Sequence, residues 1–389
     1  MPLCNTVKNL PPSGIRAFFD LVLGMKDVIS LGVGEPDFVT PWNIREKAIY
    51  SMEQGYTSYT SNKGIEELRR EIVRFLKARY NLEYDFNDEI LITVGVSEGL
   101  DLVARAILEP GEKVLVPEPG YVSYGPVVEL AGGVPVRVVT DVREGFKLTP
   151  EKIQKAYEKG TKAIIINYPC NPTGTSYDRR ELAALAKVIK KLGLILISDE
   201  VYDELTYDFD HTPFATFPGM QERTVYLNGF SKAYAMTGFR LGWAAGPGTI
   251  IGGMTKIHQY TMLCAPIMSQ MAAIEALRHG YKDVLAMKKE YNRRRNYIIT
   301  SLNELGLTCH MPQGAFYAFP SIKSTGMSSL DFAKDLLDKE KVALVPGTAF
   351  GPSCEGFVRI SYASSYENLR EAVARMKRYL EKRHVNQKS

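Results

Sequence analysis

In the stretch "NGFSKAYAMTGFRLGW" (228–243), Ser231-Lys232 stands between an apolar run and a Gly-x-Arg-x-Gly turn built around Arg240. A lysine amine can form a Schiff base with a carbonyl compound, and a guanidinium fork can hold a phosphate. Further polar residues follow other apolar runs. "GVSEG" (95–99) opens a helix-period segment whose free N–H groups at Gly95, Val96 and Ser97 suit an anion. Asn171 lies in the Pro-rich turn "YPCNPTG", and Asp199 begins "DEVY" with Tyr202 three residues later. Singly, each has an ordinary role as a cap, a turn or a packing aromatic. Together they supply what a pyridoxal phosphate (PLP) site needs. Lys232 provides the Schiff-base amine, and Asp199 the carboxylate that keeps the pyridine nitrogen protonated so that the ring accepts carbanion electrons. Tyr202 and Asn171 can donate to the ring's phenolate oxygen, while Gly95, Val96, Ser97, Ser231 and Arg240 take the phosphate. Val96 is bulky for such a turn, so only its backbone N–H is expected to matter.

These residues need a frame that brings strand ends together. Short Val/Ile-rich runs recur at 90–94, 113–117, 134–139, 163–167, 194–198, 224–228 and 241–245, with amphipathic stretches such as "SEGLDLVARAIL" and "DRRELAALAKVIKKLG" between most of them. Continuous apolar strands alternating with helices predict an α/β fold with a mainly parallel, seven-stranded sheet covered on both faces. The link from 224–228 to 241–245 is too short for a crossover helix, so an antiparallel neighbour is expected there. Ligands of open α/β sheets bind outside the carboxyl ends of the strands, where the candidate residues fall. Beyond "GPGTIIGG" come long helical segments, short strands around "GAFYAFP", "VALVPG" and "GFVRISYA", and a closing helix. The expected division is an N-terminal segment, 1–45, packing with a smaller α+β domain, 286–389, and a large cofactor-binding domain, 46–285.

With 389 residues and a net charge of +4, the chain has ample core and no nucleic-acid footprint. Its densest basic run, Arg293-Arg294-Arg295, reads as a solvated or interface face of a helix. Five scattered cysteines without a C-x-x-C fit free thiols in a reducing cytoplasm, and five scattered histidines show no metal-ligand spacing. "MPLCNTVKNLPPSG" does not read as a secretion signal, and no apolar run is long enough to span a bilayer. A cytoplasmic protein without membrane, metal or nucleic-acid partners is expected.

The motifs "SLGVGEPDF", "YTSYTSNKGIEELR", "NYPCNPTG", "ISDEVYDEL", "NGFSKAYAMTGFRLGW" and "GFVRISYA" occur in an order that resembles the fold type I, class I/II PLP-dependent aminotransferases. The similarity runs from about Ile15 to Leu380. In detail it looks like the branch containing archaeal aromatic aminotransferases and bacterial N-acetyl-diaminopimelate aminotransferases. The resemblance implies that Tyr121 stacks on the cofactor ring and that Tyr59 reaches the phosphate of a partner subunit in a homodimer with shared sites. It implies that Arg359 grips the substrate α-carboxylate, aided by Asn171 and the Gly34 backbone, and that a segment around Ile15, Arg16, Phe18 and Phe19 closes over the site. The implied reaction moves an amino group between an L-amino acid (aromatic, aspartate-like or an acylated diamino acid) and a 2-oxo acid, with 2-oxoglutarate the expected acceptor. Lys232, Asp199 and Tyr202 would be the catalytic residues.

Three rivals are weaker. A dinucleotide site at "GPGTIIGG" has the spacing G-x-G-x-x-x-G and comes late in the sheet. A PLP-dependent carbon–sulfur β-lyase could use the same lysine and aspartate. A PLP-binding sensor would need an appended DNA-binding module, for which the N-terminal stretch is too short.

Overall fold

The computed structural model describes residues 2–12, 14–15 and 25–386. A two-residue strand, β1 (Ile29–Ser30), precedes the central sheet. The sheet strands are β2 (Ile90–Thr93), β3 (Lys113–Glu118), β4 (Val134–Val139), β5 (Thr161–Asn167), β6 (Ile195–Asp199), β7 (Thr224–Gly229) and β8 (Gly242–Ala245). They are ordered β2-β8-β7-β6-β5-β3-β4 in one seven-stranded sheet. Every pairing is parallel except the two that β8 makes, with β7 and with β2. The fold is the expected α/β architecture.

Burial explains the strand chemistry. Ile164, Ile165 and Ile166 in β5 are covered on both faces, as are Leu196 and Ile197 in β6. Both-face burial favours continuous β-branched and aliphatic runs over alternation. At about 1.5–3 kcal/mol per buried side chain, such runs dominate the sheet's stability. β4 is an edge strand with Val134 and Val139 exposed, and it carries Pro135, which an edge tolerates because no ladder N–H is lost there.

The antiparallel return of β8 matters most for function. A crossover helix after β7 would carry the chain to the other end of the sheet. Instead residues 230–241 stay beside the carboxyl end of β7, with a 3₁₀ turn at Thr237–Phe239 and left-handed backbone at Ala235 and Arg240. Lys232 and Arg240 are thereby held at one sheet end. "GPGTIIGG" lies at the opposite end, where the Gly246 N–H bonds the Glu89 carbonyl and the helix Gly248–Thr261 begins. A dinucleotide there would sit away from the strand-end chemistry.

In the C-terminal part, β9 (Tyr317–Ala318), β11 (Val345–Pro346) and β12 (Val358–Ser361) form a small antiparallel sheet, and β10 (Val342–Ala343) pairs with β1 in parallel. Helices Tyr281–Glu304, Ser329–Glu340 and Tyr366–Asn386 pack over these strands around Ile298, Leu336, Ile360 and Leu369. The N-terminal segment is thus tied to the C-terminal part, and Ser361 N–H also bonds the Leu31 carbonyl at 2.6 Å. The basic run on Tyr281–Glu304 is not the solvated face its charge implies. Arg294 and Arg295 are buried, paired at 2.8 Å with Asp37 and at 2.7 Å with Asp208, and only Arg293 keeps a largely exposed side chain. Consecutive helix positions point about 100° apart, so a run of three cannot share one face.

Candidate active site

At the carboxyl ends of the parallel strands a cavity of about 610 Å³ opens. It gathers Gly34, Val96, Ser97, Tyr121, Asn171, Asp199, Tyr202, Ser231, Lys232, Arg240 and Arg359 from segments far apart in the chain. Two expected residues are not in its wall. Gly95 lies just behind it, and Tyr59 is 83% exposed on the outer surface. Ile15 reaches the cavity, whereas Arg16, Phe18 and Phe19 lie outside the described residues.

Asp199 ends β6 and is almost wholly buried. Its carboxylate accepts the Tyr124 hydroxyl at 2.7 Å and the Val201 N–H at 3.4 Å. Desolvation raises its pKa to about 6, against the pull of the Tyr124 hydrogen bond. A carboxylate held in so dry a place gains most from a cation set opposite it.

Lys232 is set deep in the protein with its amine at the cavity wall, donating to the Gly34 carbonyl at 2.7 Å. Desolvation lowers its pKa to about 8; Glu35 opposes the shift, and Arg359 and Arg240 reinforce it. At pH 7 the neutral amine is then roughly 300-fold more abundant than for an unperturbed lysine. In protein freed of cofactor, capture of pyridoxal phosphate, followed by visible absorbance, is expected to accelerate about tenfold per pH unit up to about pH 8 and then level off. A rate still climbing at pH 10 would show an ordinary amine.

Arg359, from β12, is fully buried, and burial depresses its pKa. Its guanidinium donates to Asn171 Oδ1 at 2.8 Å and to the Gly32 carbonyl at 2.6 Å, and it stacks over the Tyr317 ring. No carboxylate pairs with it among the described residues, and its Nε has no partner. An unpaired buried charge is costly. The site is chemically incomplete without an anion.

At the other side, Gly95 takes a left-handed φ of 74° to begin the helix Gly95–Ile107. A β-carbon on Gly95 would fall 2.8 Å from Arg240 Nη2, and one on Gly242 would fall 2.7 Å from the Val96 nitrogen. The glycines let the Arg240 guanidinium and the first-turn amides converge. Helix-terminal N–H groups, the Ser97 and Ser231 hydroxyls and this guanidinium together match a phosphate. The donor set therefore fits pyridoxal phosphate at every point: amine, buried carboxylate, hydroxyl and amide donors, and anion cradle.

Several lining residues carry no obvious signal in the sequence. Tyr124 follows Tyr121 by three residues and packs edge-on against it at 5.6 Å. Asn167 ends β5 just as Asp199 ends β6; its amide donates to the Asp199 carbonyl and its Oδ1 accepts the Asn171 N–H. Attention to every polar strand end would have found it. Tyr317 bonds the Tyr202 hydroxyl at 2.8 Å, and the Thr237 hydroxyl donates to Glu35 at 3.0 Å.

The sequence matches the family "Aminotransferase class I and II" over residues 26–376. The chain belongs to that family. It is a PLP-dependent aminotransferase, and its substrates are amino acids and 2-oxo acids. This aminotransferase is 57% identical over 380 residues to the YugH protein of Bacillus subtilis, with 98% of each chain covered. It is 47% identical over 383 residues to the aspartate aminotransferase of Pyrococcus abyssi, again with 98% of each covered. The solved aromatic aminotransferase of Pyrococcus horikoshii superposes on it with a TM-score of 0.91 at 44% identity, covering 95% of this chain and 99% of that one. Among the described residues no group of His, Cys, Asp and Glu could hold a metal, and no helix is long and apolar enough to cross a membrane.

Proposed function

We propose that this aminotransferase works through Lys232, Asp199 and Tyr202, with Arg359 as the receptor for the α-carboxylate of both amino and 2-oxo acid. The observation that carries this reading is the buried Arg359 guanidinium, unpaired with any carboxylate among the described residues and facing the same cavity as Lys232 and Asp199.

When bound, PLP supplies an electron-accepting ring that stabilises the carbanion at the substrate α-carbon. Lys232 would hold the cofactor and, once freed as an amine, would take the proton from that carbon. Its lowered pKa makes the basic amine far more available near neutral pH than in an ordinary lysine. Asp199 would keep the ring nitrogen protonated, and Tyr202 and Asn171 would hold the ring by donating to its phenolate oxygen. Tyr121 covers the ring face. Gly95, Val96, Ser97, Ser231 and Arg240 anchor the phosphate. Arg359, Asn171 and the Gly34 backbone hold the substrate carboxylate, which fixes the α-carbon opposite Lys232.

Glutamate and 2-oxoglutarate are the proposed common pair, with an aromatic, aspartate-like or acylated diamino acid as the second amino donor. The split between aspartate and aromatic aminotransferases among its relatives supports keeping these donors together. A panel of amino acids assayed against 2-oxoglutarate tests the reading directly. Arg359→Lys, which keeps the charge but loses the bidentate fork, is expected to cost about 2–4 kcal/mol in kcat/KM for every donor and acceptor alike. A variant that instead loses PLP yet turns over normally once reconstituted would place Arg359 at the phosphate.

The same reading makes the enzyme a cytoplasmic homodimer without nucleic-acid or membrane partners. Tyr59 supports it. Its loop is tied by Thr60 to Gln270 and by Asn62 to the Leu263 carbonyl, beside the exposed Tyr260 and Met262. An exposed apolar patch of this kind marks an interaction surface, and an isologous contact would bring Tyr59 to a second copy's phosphate. Tyr59→Phe is expected to weaken PLP retention about tenfold without unfolding; a fully active monomer in sedimentation would refute the shared site. The proposed division is 1–45, 46–285 and 286–389, with the helix Tyr281–Glu304 crossing the last boundary as a bridge.

A further inference from the structure

Glu98 and His258 form a buried pair outside the cavity wall. Glu98 lies in the first turn of helix Gly95–Ile107, and His258 lies on helix Gly248–Thr261 with no exposed surface. One Glu98 oxygen accepts the Val94 N–H at 2.5 Å, and the other is 2.6 Å from His258 Nδ1. His258 Nε2 has no partner among the described residues. The arrangement is electrostatically odd, because a carboxylate sits one turn from amides that would receive a phosphate. Left unneutralised, it would repel that anion through a low-dielectric interior.

Its contacts give the reason for its presence. Val94 is where the chain leaves β2, and Gly95 then turns left-handed to start the helix. Glu98 fastens the Val94 N–H, while the Thr93 hydroxyl fastens the Gly95 carbonyl at 2.9 Å. The 93–94 and 95–96 peptide units are therefore pinned, and the second of them carries the Val96 N–H, the first amide of the turn that faces the phosphate site. His258 Nδ1 lies at 2.6 Å from the carboxylate and is the only ionisable side chain paired with it among the described residues. It anchors Glu98 to a neighbouring helix.

We propose that Glu98 and His258 are positioning residues for the phosphate-binding turn, acting on the phosphate end of the cofactor and not on its ring. This rests on the assignment of the phosphate to Gly95, Val96, Ser97, Ser231 and Arg240. The test compares binding of pyridoxal phosphate and of pyridoxal, which lacks the phosphate, to full-length protein freed of cofactor. Phosphorus NMR of the bound phosphate is a second readout.

Glu98→Ala is expected to weaken pyridoxal phosphate at least about tenfold, the loss of one hydrogen bond to a charged group, and to leave pyridoxal within about twofold. Glu98→Gln is expected to restore binding, because an amide can accept from Val94 and donate to Nδ1. The phosphorus resonance should shift in Glu98→Ala and stay near native in Glu98→Gln. If Glu98→Ala does not fold, His258→Leu, which strips the carboxylate of its hydrogen-bonding partner, should show the same selective loss. Equal weakening of both ligands, or of neither, would overturn the inference. Arg240→Ala separates the two levels: if it too fails to discriminate between the ligands, the phosphate assignment itself is wrong. If Arg240→Ala discriminates and the Glu98 and His258 variants do not, only the positioning role fails.

Discussion

Lys232→Ala is expected to abolish measurable transamination while leaving the protein folded. Two losses coincide. The cofactor would no longer be held covalently, and among the described residues no other amine lines the cavity to take the α-proton, since the other basic side chains there, Arg240 and Arg359, are guanidinium groups. Removing a positioned general base alone costs about 10²–10⁴ in rate, so residual activity should fall at least that far. Folding should survive because the Lys232 amine makes one hydrogen bond among the described residues, to the Gly34 carbonyl, and its stem fills space beside an open cavity. Borohydride reduction of the native enzyme should attach the cofactor to Lys232 and to no other lysine. Cofactor found on a different lysine would sink the assignment.

Asp199→Asn keeps the shape of the side chain and removes only its charge. The amide oxygen can still accept from the Val201 N–H, and the Tyr124 hydroxyl, which meets the other carboxylate oxygen, can turn to accept from the amide NH2, so the geometry around it should persist. On the proposed assignment, what is lost is the negative charge that would make a protonated ring nitrogen stable in a dry pocket. Burial already lifts the Asp199 pKa to about 6, so the carboxylate is costly there, and its worth lies in the cation it would face. Loss of such a preorganised electrostatic partner is expected to lower kcat by about 10²–10³, or 2.7–4 kcal/mol, with a much smaller change in KM. The cofactor's visible spectrum should change with it, whereas Arg359→Lys should leave the spectrum nearly native. A variant with normal kcat and raised KM would move Asp199 from the ring to the substrate.

Much of this protein was already decided by local sequence. Seven apolar runs alternating with helix-period segments determine a mainly parallel sheet, because strands buried on both faces must be continuous and parallel neighbours need crossovers. Ligand sites in such sheets collect at carboxyl ends, so Asn171, Asp199, Tyr202, Ser231, Lys232 and Arg240 could be picked out simply as polar residues just past an apolar strand. The short link before β8 also showed that this strand returns antiparallel. Those signals span a few residues each, and backbone chemistry reads them locally.

Other features depended on contacts that no short window contains. Tyr124 meets Asp199 across 75 positions and Tyr202 meets Tyr317 across 115. A tyrosine in "GYVSYGP" or "GAFYAFP" looks the same whether it packs or donates a hydrogen bond. The Arg293-Arg294-Arg295 run reads as a solvated or interface face because charge is usually exposed, yet Asp37 and Asp208, far away in sequence, allow two of the three to be buried as ion pairs. The perturbed Lys232 and Asp199 are likewise products of assembly. Their pKa shifts come chiefly from desolvation, and desolvation exists only once β1, the 230–241 turn and β12 have closed around the same cavity. Residue type and spacing determined which groups could do the chemistry; tertiary packing decided their protonation and their partners, because dielectric and distance belong to the folded chain and not to any segment of it.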